Sequence, residues 1–193
     1  MPDEENVEIL RRFLADKYSF AAADTSLLSK FKEVKVARND LLLACGEVCH
    51  NAYFICAGCL RTYFIDEKGE EKTRYIAFEN HFVSAFASFI TQTPSAEGVQ
   101  ALEDCRLLRI SQTDFYKLVD THLVFASLYR KSLEQSQVFA TWRIETMISM
   151  TAKERYENLL QRMPEVVLRL SNKHVASFLG ITQESLSRLK KGK

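Results

Sequence analysis

The apolar residues of this 193-residue chain keep one period from about Phe31 to Ile110 and another from Ser111 onward. From about Phe31, KEVKVAR alternates apolar with charged residues, AYFICA is a short apolar run, and LRTYFI alternates again. GVQALE and CRLLRIS continue the pattern. A period of two over such short stretches marks strands with a face in a core. Between Ile65 and Tyr75, IDEKGEEKTRY predicts a hairpin whose turn uses the positive φ open to Gly69. Six or more short strands with polar turns predict an antiparallel β-roll or jelly-roll barrel rather than a parallel sheet. Outside this block the spacing is helical. NVEILRRFLADKYSF places Val7, Leu10, Phe13 and Leu14 on one face. SQTDFYKLV starts with Ser111 and has Asp114 three residues on, a variant of the capping box. The fold class is therefore α+β.

Two further helical stretches follow. One runs from about Leu123 to Ile148 without Gly or Pro, longer than a cover for a small barrel needs. Its Leu128, Ser132, Gln135, Phe139 and Trp142 fall on one stripe. The stripe is expected either to form a dimer seam, with Ser132 and Gln135 interrupting its apolar line, or to pack within its own chain. The other, TAKERYENLLQRM, sets Tyr156, Leu159, Leu160 and Met163 on one face before Pro164.

Charge divides the chain where the period does not. From Thr151 on, nine Lys/Arg stand against four Glu, a net +5, while the first 150 residues carry 17 basic and 21 acidic groups, a net −4. An acidic body with a basic end predicts a polyanionic partner for that end. No apolar run approaches the roughly 20 residues of a membrane span, and MPDEENVEILRRF lacks the features of a signal peptide. A cytoplasmic protein is expected, its five cysteines reduced.

The basic end carries a motif. Ser171 is placed to cap KHVASFL, Gly180 to end that helix in a left-handed conformation, and Thr182 to cap QESLSRLKK. Ala176 is small where two helices must cross, and Val175, Leu179, Ile181, Leu186 and Leu189 complete an inner apolar set. This is the helix-turn-helix plan. Gln183, Glu184, Ser185, Ser187, Arg188 and Lys191 then face outward. Arg188 can pair with guanine, Gln183 with adenine, and Glu184 can accept from cytosine. Lys173, His174, Lys190, Lys191 and Lys193 are expected on phosphates, with Ser171 and Thr182 beside them.

The sequence thus resembles the Crp/Fnr family of bacterial transcription regulators over nearly its whole length, in the style of those from Bacteroidetes-type bacteria. YFICAGCLRTYFIDEKGEEKTRYIAFENHFV is similar to the family's β-roll, with its aromatic-apolar strand, Gly58 and then Leu60-Arg61. ITQESLSRL is similar to its recognition helix, with Glu184 and Arg188 at the matching positions and Gln183 where many members have Arg. The resemblance implies a cyclic-nucleotide-binding-like roll with flanking helices over residues 1–120, a connecting and dimerisation helix over 121–149, and a helix-turn-helix domain over 150–193. It implies a homodimer on double-stranded DNA at a pseudo-palindromic site. It also leaves no residues for the β-hairpin wing that often follows the recognition helix.

Two departures accompany the resemblance. In FVSAFASFITQTPSAEGVQALED, Ser84–Ala85 stand where nucleotide-binding members have Gly–Glu, and Ser95 stands near their Arg. A buried cyclic phosphate without that Arg would carry a desolvation cost of several kcal/mol. Binding of cyclic AMP by the family's usual contacts is not expected. Phe82, Phe86 and Phe89, with Ser84, Ala85 and Ser95, are expected either to hold another effector or to be core. Cys45, Cys49, Cys56 and Cys59 are spaced to offer four thiolates, as in metal or iron–sulfur sites, yet they lie inside predicted strands. No metal or cofactor is expected, and the alternative function is a redox- or metal-sensing or small-ligand-binding signalling module that uses those four cysteines or the barrel pocket. The four histidines, His50, His81, His122 and His174, are scattered, so no catalytic set and no enzyme is expected.

Overall fold

The computed structural model describes residues 4–18 and 22–192. An N-terminal helix α1 (Glu4–Tyr18) and a 3-10 helix (Ala22–Lys30) precede eight strands: β1 (Lys32–Val36), β2 (Leu41–Leu43), β3 (Asn51–Ala57), β4 (Leu60–Ile65), β5 (Glu71–Ala77), β6 (Phe82–Val83), β7 (Glu97–Ala101) and β8 (Cys105–Ser111). The short helix α2 (Phe86–Thr91) lies between β6 and β7. The strands form two four-stranded antiparallel sheets, in the orders β1-β8-β3-β6 and β2-β7-β4-β5. The β4–β5 hairpin turns at Gly69, φ +79°, where the Asp66 carboxylate accepts from the Lys68 and Glu70 amides at 2.9 Å each. Along β3 and β8 neighbouring side chains, Phe54 with Ile55 and Leu107 with Leu108, are buried completely, as is Ile110, because these strands are covered on both faces.

Helices make up the rest: α3 (Gln112–Thr121), α4 (Leu123–Ser149), α5 (Ala152–Arg162), α6 (Pro164–Arg169), α7 (Asn172–Leu179) and α8 (Gln183–Lys190). Ser111 caps α3 by accepting from the Asp114 amide, and Thr151 with Glu154 forms a full capping box on α5. Pro164 starts α6, where its missing N–H costs nothing. No described helix is long and apolar enough to cross a membrane.

Two cores hold these elements together. The first fills the roll and reaches α4 through Phe125 and Leu128. In the second, Cys59, Ile76, Phe78 and Leu102 of the roll meet Leu159, Val166, Val175, Phe178, Leu179 and Leu186 of the C-terminal helices. The C-terminal helices therefore dock directly on the outer face of a sheet. The stripe on α4 joins the cores: the Phe139 ring lies 4.9 Å from Tyr75 of β5, and the Trp142 ring 6.5 Å from Phe178 of α7. Along that stripe Leu128 is buried and Ser132, Phe139 and Trp142 are half-buried toward their own chain, while Gln135 stays exposed. Leu160, expected on the buried face of α5, is instead 40% exposed.

Candidate nucleic-acid interface and the roll cavity

The C-terminal motif folds as its spacing predicts. Gly180 ends α7 at φ +67°, and the Ile181 amide reaches back to the Ala176 carbonyl at 3.0 Å, the long bond of a Schellman closure. A Cβ at Gly180 would lie 2.7 Å from Cε of Met147. Thr182 caps α8 by accepting from the Ser185 amide at 3.2 Å. Leu186 is fully buried against α7, which turns the opposite face of α8 to solvent. Gln183, Glu184 and Arg188 are exposed on that face, with Ser185 and Ser187 half-buried beside them. Backbone N–H donation at the helix start, then the Thr182 hydroxyl, holds the Glu184 carboxyl below its usual range, so it is ionised at neutral pH.

The expected phosphate contacts divide. Ser171, Lys173, Thr182 and Lys191 are exposed. Ser171 occupies the N-cap position of α7, but its side chain makes no capping bond. Lys190 is exposed and tied to α7, donating to the Asn172 side chain at 2.6 Å. Lys193 lies outside the described residues. His174 must be corrected: it is only 8% exposed, it faces the roll, and its Nδ1 has no partner among the described residues. Burial, then the Arg61 guanidinium, pushes its pKa down to about 4, with Lys173 and Arg38 acting the same way and Glu71 opposing them. The ring is neutral at pH 7 and is no phosphate contact. Its unfolded counterpart binds a proton near pH 6.5, whereas the folded ring does so only near 4. Folding stability is therefore expected to fall as pH drops from 6.5 toward 4, by up to about 3 kcal/mol. Urea unfolding of His174→Leu across that window should show the slope flattened.

The docking that buries His174 is also polar. Ser177 of α7 accepts from the Thr73 amide at 2.9 Å and donates to the Glu71 carbonyl at 3.0 Å. Arg169 grips Glu79 and Glu103 together at 2.6–3.1 Å, its guanidinium 4.5 Å from the Phe78 ring. Arg61 is fully buried and satisfied by Gln100, Thr73 and Glu71. The Ser177 and Arg169 contacts were not legible in the sequence, because they join residues 66 to 106 apart along the chain.

Between the roll and α4 lies a cavity of about 380 Å³. Phe82, Ser84, Phe86 and Phe89 line it as expected. Ala85 and Ser95 do not: Ala85 is buried behind the wall, and the Ser95 hydroxyl closes its own turn on Glu97 at 2.8 and 3.0 Å. Missed by the sequence reading are the contributions of α1, through Phe13 and Lys17, of β5, through Arg74 and Tyr75, and of α4, through Ser132, Gln135 and Phe139. The two polar residues that break the α4 stripe thus face this space.

Residues 33–122 match the family model of the cyclic nucleotide-binding domain. FixK2 from Bradyrhizobium japonicum superposes with a TM-score of 0.75 at 15% identity, over 84% of this chain and 83% of that one. A CooA mutant from Carboxydothermus hydrogenoformans gives 0.73 at 18%, over 93% and 81%. A protein assigned to the crp/fnr family from Eubacterium rectale gives 0.66 at 18%, over 90% and 83%. The chain has the Crp/Fnr fold. No protein of curated function matches the sequence.

In this Crp/Fnr fold the cysteines disperse. Gly58, at φ +100°, reverses the chain between β3 and β4, so Cys56 enters the first core and Cys59 the second. Burial pushes the Cys56 thiol up to about 12 and Cys105 up to about 11, and raises Cys59 further. These thiols are protonated at neutral pH and unreactive as nucleophiles. Among the described residues no group of three or more His, Cys, Asp or Glu side chains is placed to hold a metal ion.

Proposed function

We propose that this chain is a sequence-specific DNA-binding transcription regulator that acts as a homodimer on a pseudo-palindromic site. The observation carrying this reading is α8: a capped, rigidly seated helix whose exposed face offers Gln183, Glu184 and Arg188 together. Those three groups suit base edges in a major groove, while Ser171, Lys173, Thr182, Lys190 and Lys191 flank them as phosphate donors.

The dimer forms through the outward face of α4, opposite the stripe that its own chain covers. Leu133, Ile144 and Met147 are 36%, 60% and 45% exposed there, and Arg130, Gln137 and Ala140 complete a spacing of three and four. Two-fold pairing of α4 would set the two α8 helices about 34 Å apart, one turn of DNA. An effector in the roll cavity would shift the dimer between arrangements that do and do not bind DNA. The Tyr75–Phe139–Trp142–Phe178 series of rings, at 4.9, 5.3 and 6.5 Å, links that cavity to α7.

Selection of bound duplexes from a random pool is expected to return a two-fold related motif whose log affinity falls steeply with log salt. Arg188→Ala should then lose about 1–3 kcal/mol of discrimination at one base pair of each half-site without changing thermal stability. Unchanged specificity would remove Arg188 from the interface. A protein that stays monomeric on its selected site, by sedimentation, would overturn the dimer.

A further inference from the structure

We propose that the cavity between the roll and α4 takes a compact aromatic acid, one or two fused rings bearing a single carboxylate, and not a cyclic nucleotide. The proposal rests on the reading of the roll as an effector-binding unit and names the chemistry of the effector.

Size comes first. A cavity of about 380 Å³ sits at the lower end of the roughly 300–1,000 Å³ range of small-molecule sites. The wall comes second. Nine of the lining side chains are Phe or Tyr, drawn from α1, the roll, α3 and α4. Rings set at many tilts around one space favour a flat apolar guest by edge and face contacts. The uncharged polar groups are Asn80, His81 and Ser84 on the roll side and Ser132, Gln135 and Ser136 along α4, placed to meet a ring substituent.

Charge decides the rest. No Asp or Glu lines the space. Of its two lining cations, Arg74 is already paired with Glu97 at 3.4 Å. Lys17 is exposed, its ammonium 5.2 Å from the Phe13 ring, and it has no carboxylate partner among the described residues. Lys131 stands beside it, donating to the Lys17 carbonyl at 3.3 Å and lying 4.9 Å from the Tyr18 ring, also without a carboxylate partner among the described residues. The cavity is therefore mainly aromatic within, with uncharged polar groups on two sides, and positive at one edge. A carboxylate held at that edge keeps part of its hydration while its ring is buried, which avoids the cost of a fully buried anion.

A cyclic nucleotide finds neither of its usual anchors here. From Phe82 to Glu97 the chain has no Lys or Arg to meet a phosphate, and the wall has no carboxylate for a ribose hydroxyl.

The test is calorimetric titration of the full-length protein with 2-naphthoate, phenylacetate, the amide of each, and cyclic AMP. Saturable one-site binding of at least one acid is expected, about threefold or more tighter than its amide and about tenfold or more tighter than cyclic AMP. The Lys17→Met/Lys131→Met double variant should bring acid and amide to near-equal affinity. Ser132→Trp, which fills the space, should abolish acid binding. Trp142, the sole tryptophan and 5.3 Å from the lining Phe139 ring, supplies a second readout through its emission. Failure of both acids to bind, an amide as tight as its acid, or tighter cyclic AMP would each overturn the proposal. DNA binding by the ligand-free protein, measured in parallel, tells such a failure apart from failure of the regulator reading.

Discussion

Phe178→Ala should cost about 3–5 kcal/mol of folding stability, the usual loss for a fully buried ring. Phe178 is 0% exposed, and its ring lies under the Arg143 guanidinium at 4.1 Å and beside Trp142. The Arg143 side chain also donates to the Phe178 carbonyl at 2.7 Å, a bond that survives the substitution. What is lost is the ring that fills the space between α4, α7 and the roll. Burial pushes the Arg143 pKa down to about 10, with Arg155 adding to it, and the guanidinium remains charged at neutral pH. Two measurements check this: the midpoint of urea unfolding should fall, and Trp142 emission should move to longer wavelength. An unchanged midpoint would mean that the C-terminal helices do not dock on the roll in solution.

Gly58→Ala should be nearly as damaging, for a different reason. At φ +100° any side chain is disfavoured, a cost of about 1–2 kcal/mol. The new Cβ would also lie 2.6 Å from the Cys105 sulfur and 2.7 Å from the Asp104 carbonyl oxygen. The backbone has little room to yield, because the Gly58 amide donates to Glu79 at 2.8 Å and the Cys59 carbonyl accepts from Leu102 at 2.8 Å. Overpacking of this kind adds about 1–3 kcal/mol. Gly46→Ala is the control: its φ is +93°, yet nothing lies within 4 Å of the added carbon. Chemical denaturation of both variants separates the two costs. Equal losses would show that the close approach at Gly58 is absent in solution.

What the sequence revealed was local. The roll was legible because residues two apart share a face, and the β4–β5 hairpin because Gly69 sits between alternating runs. The helix-turn-helix was legible because Ala176, Gly180 and Leu186 lie within eleven residues of one another. Which face of α4 packs on its own chain was not, since apolar residues lie around its whole circumference: Trp142 turns inward while Ile144 turns out. Nor was the fate of His174, a polar residue that looks like a surface group until β5 is placed against it. Lys17 and Arg74 reach the cavity from segments with no spacing relation to Phe86.

The second core changes what it means to speak of parts in this chain. Cys59, Ile76, Phe78 and Leu102 belong to the roll by sequence, but they are solvated or dry depending on α5 to α8. A roll cut away before α5 would present those side chains to water, and C-terminal helices cut away after α4 would lose much of the wall they rest on. The burial in the second core is gained by both halves in the same event, so the two are expected to melt together, as one cooperative unit.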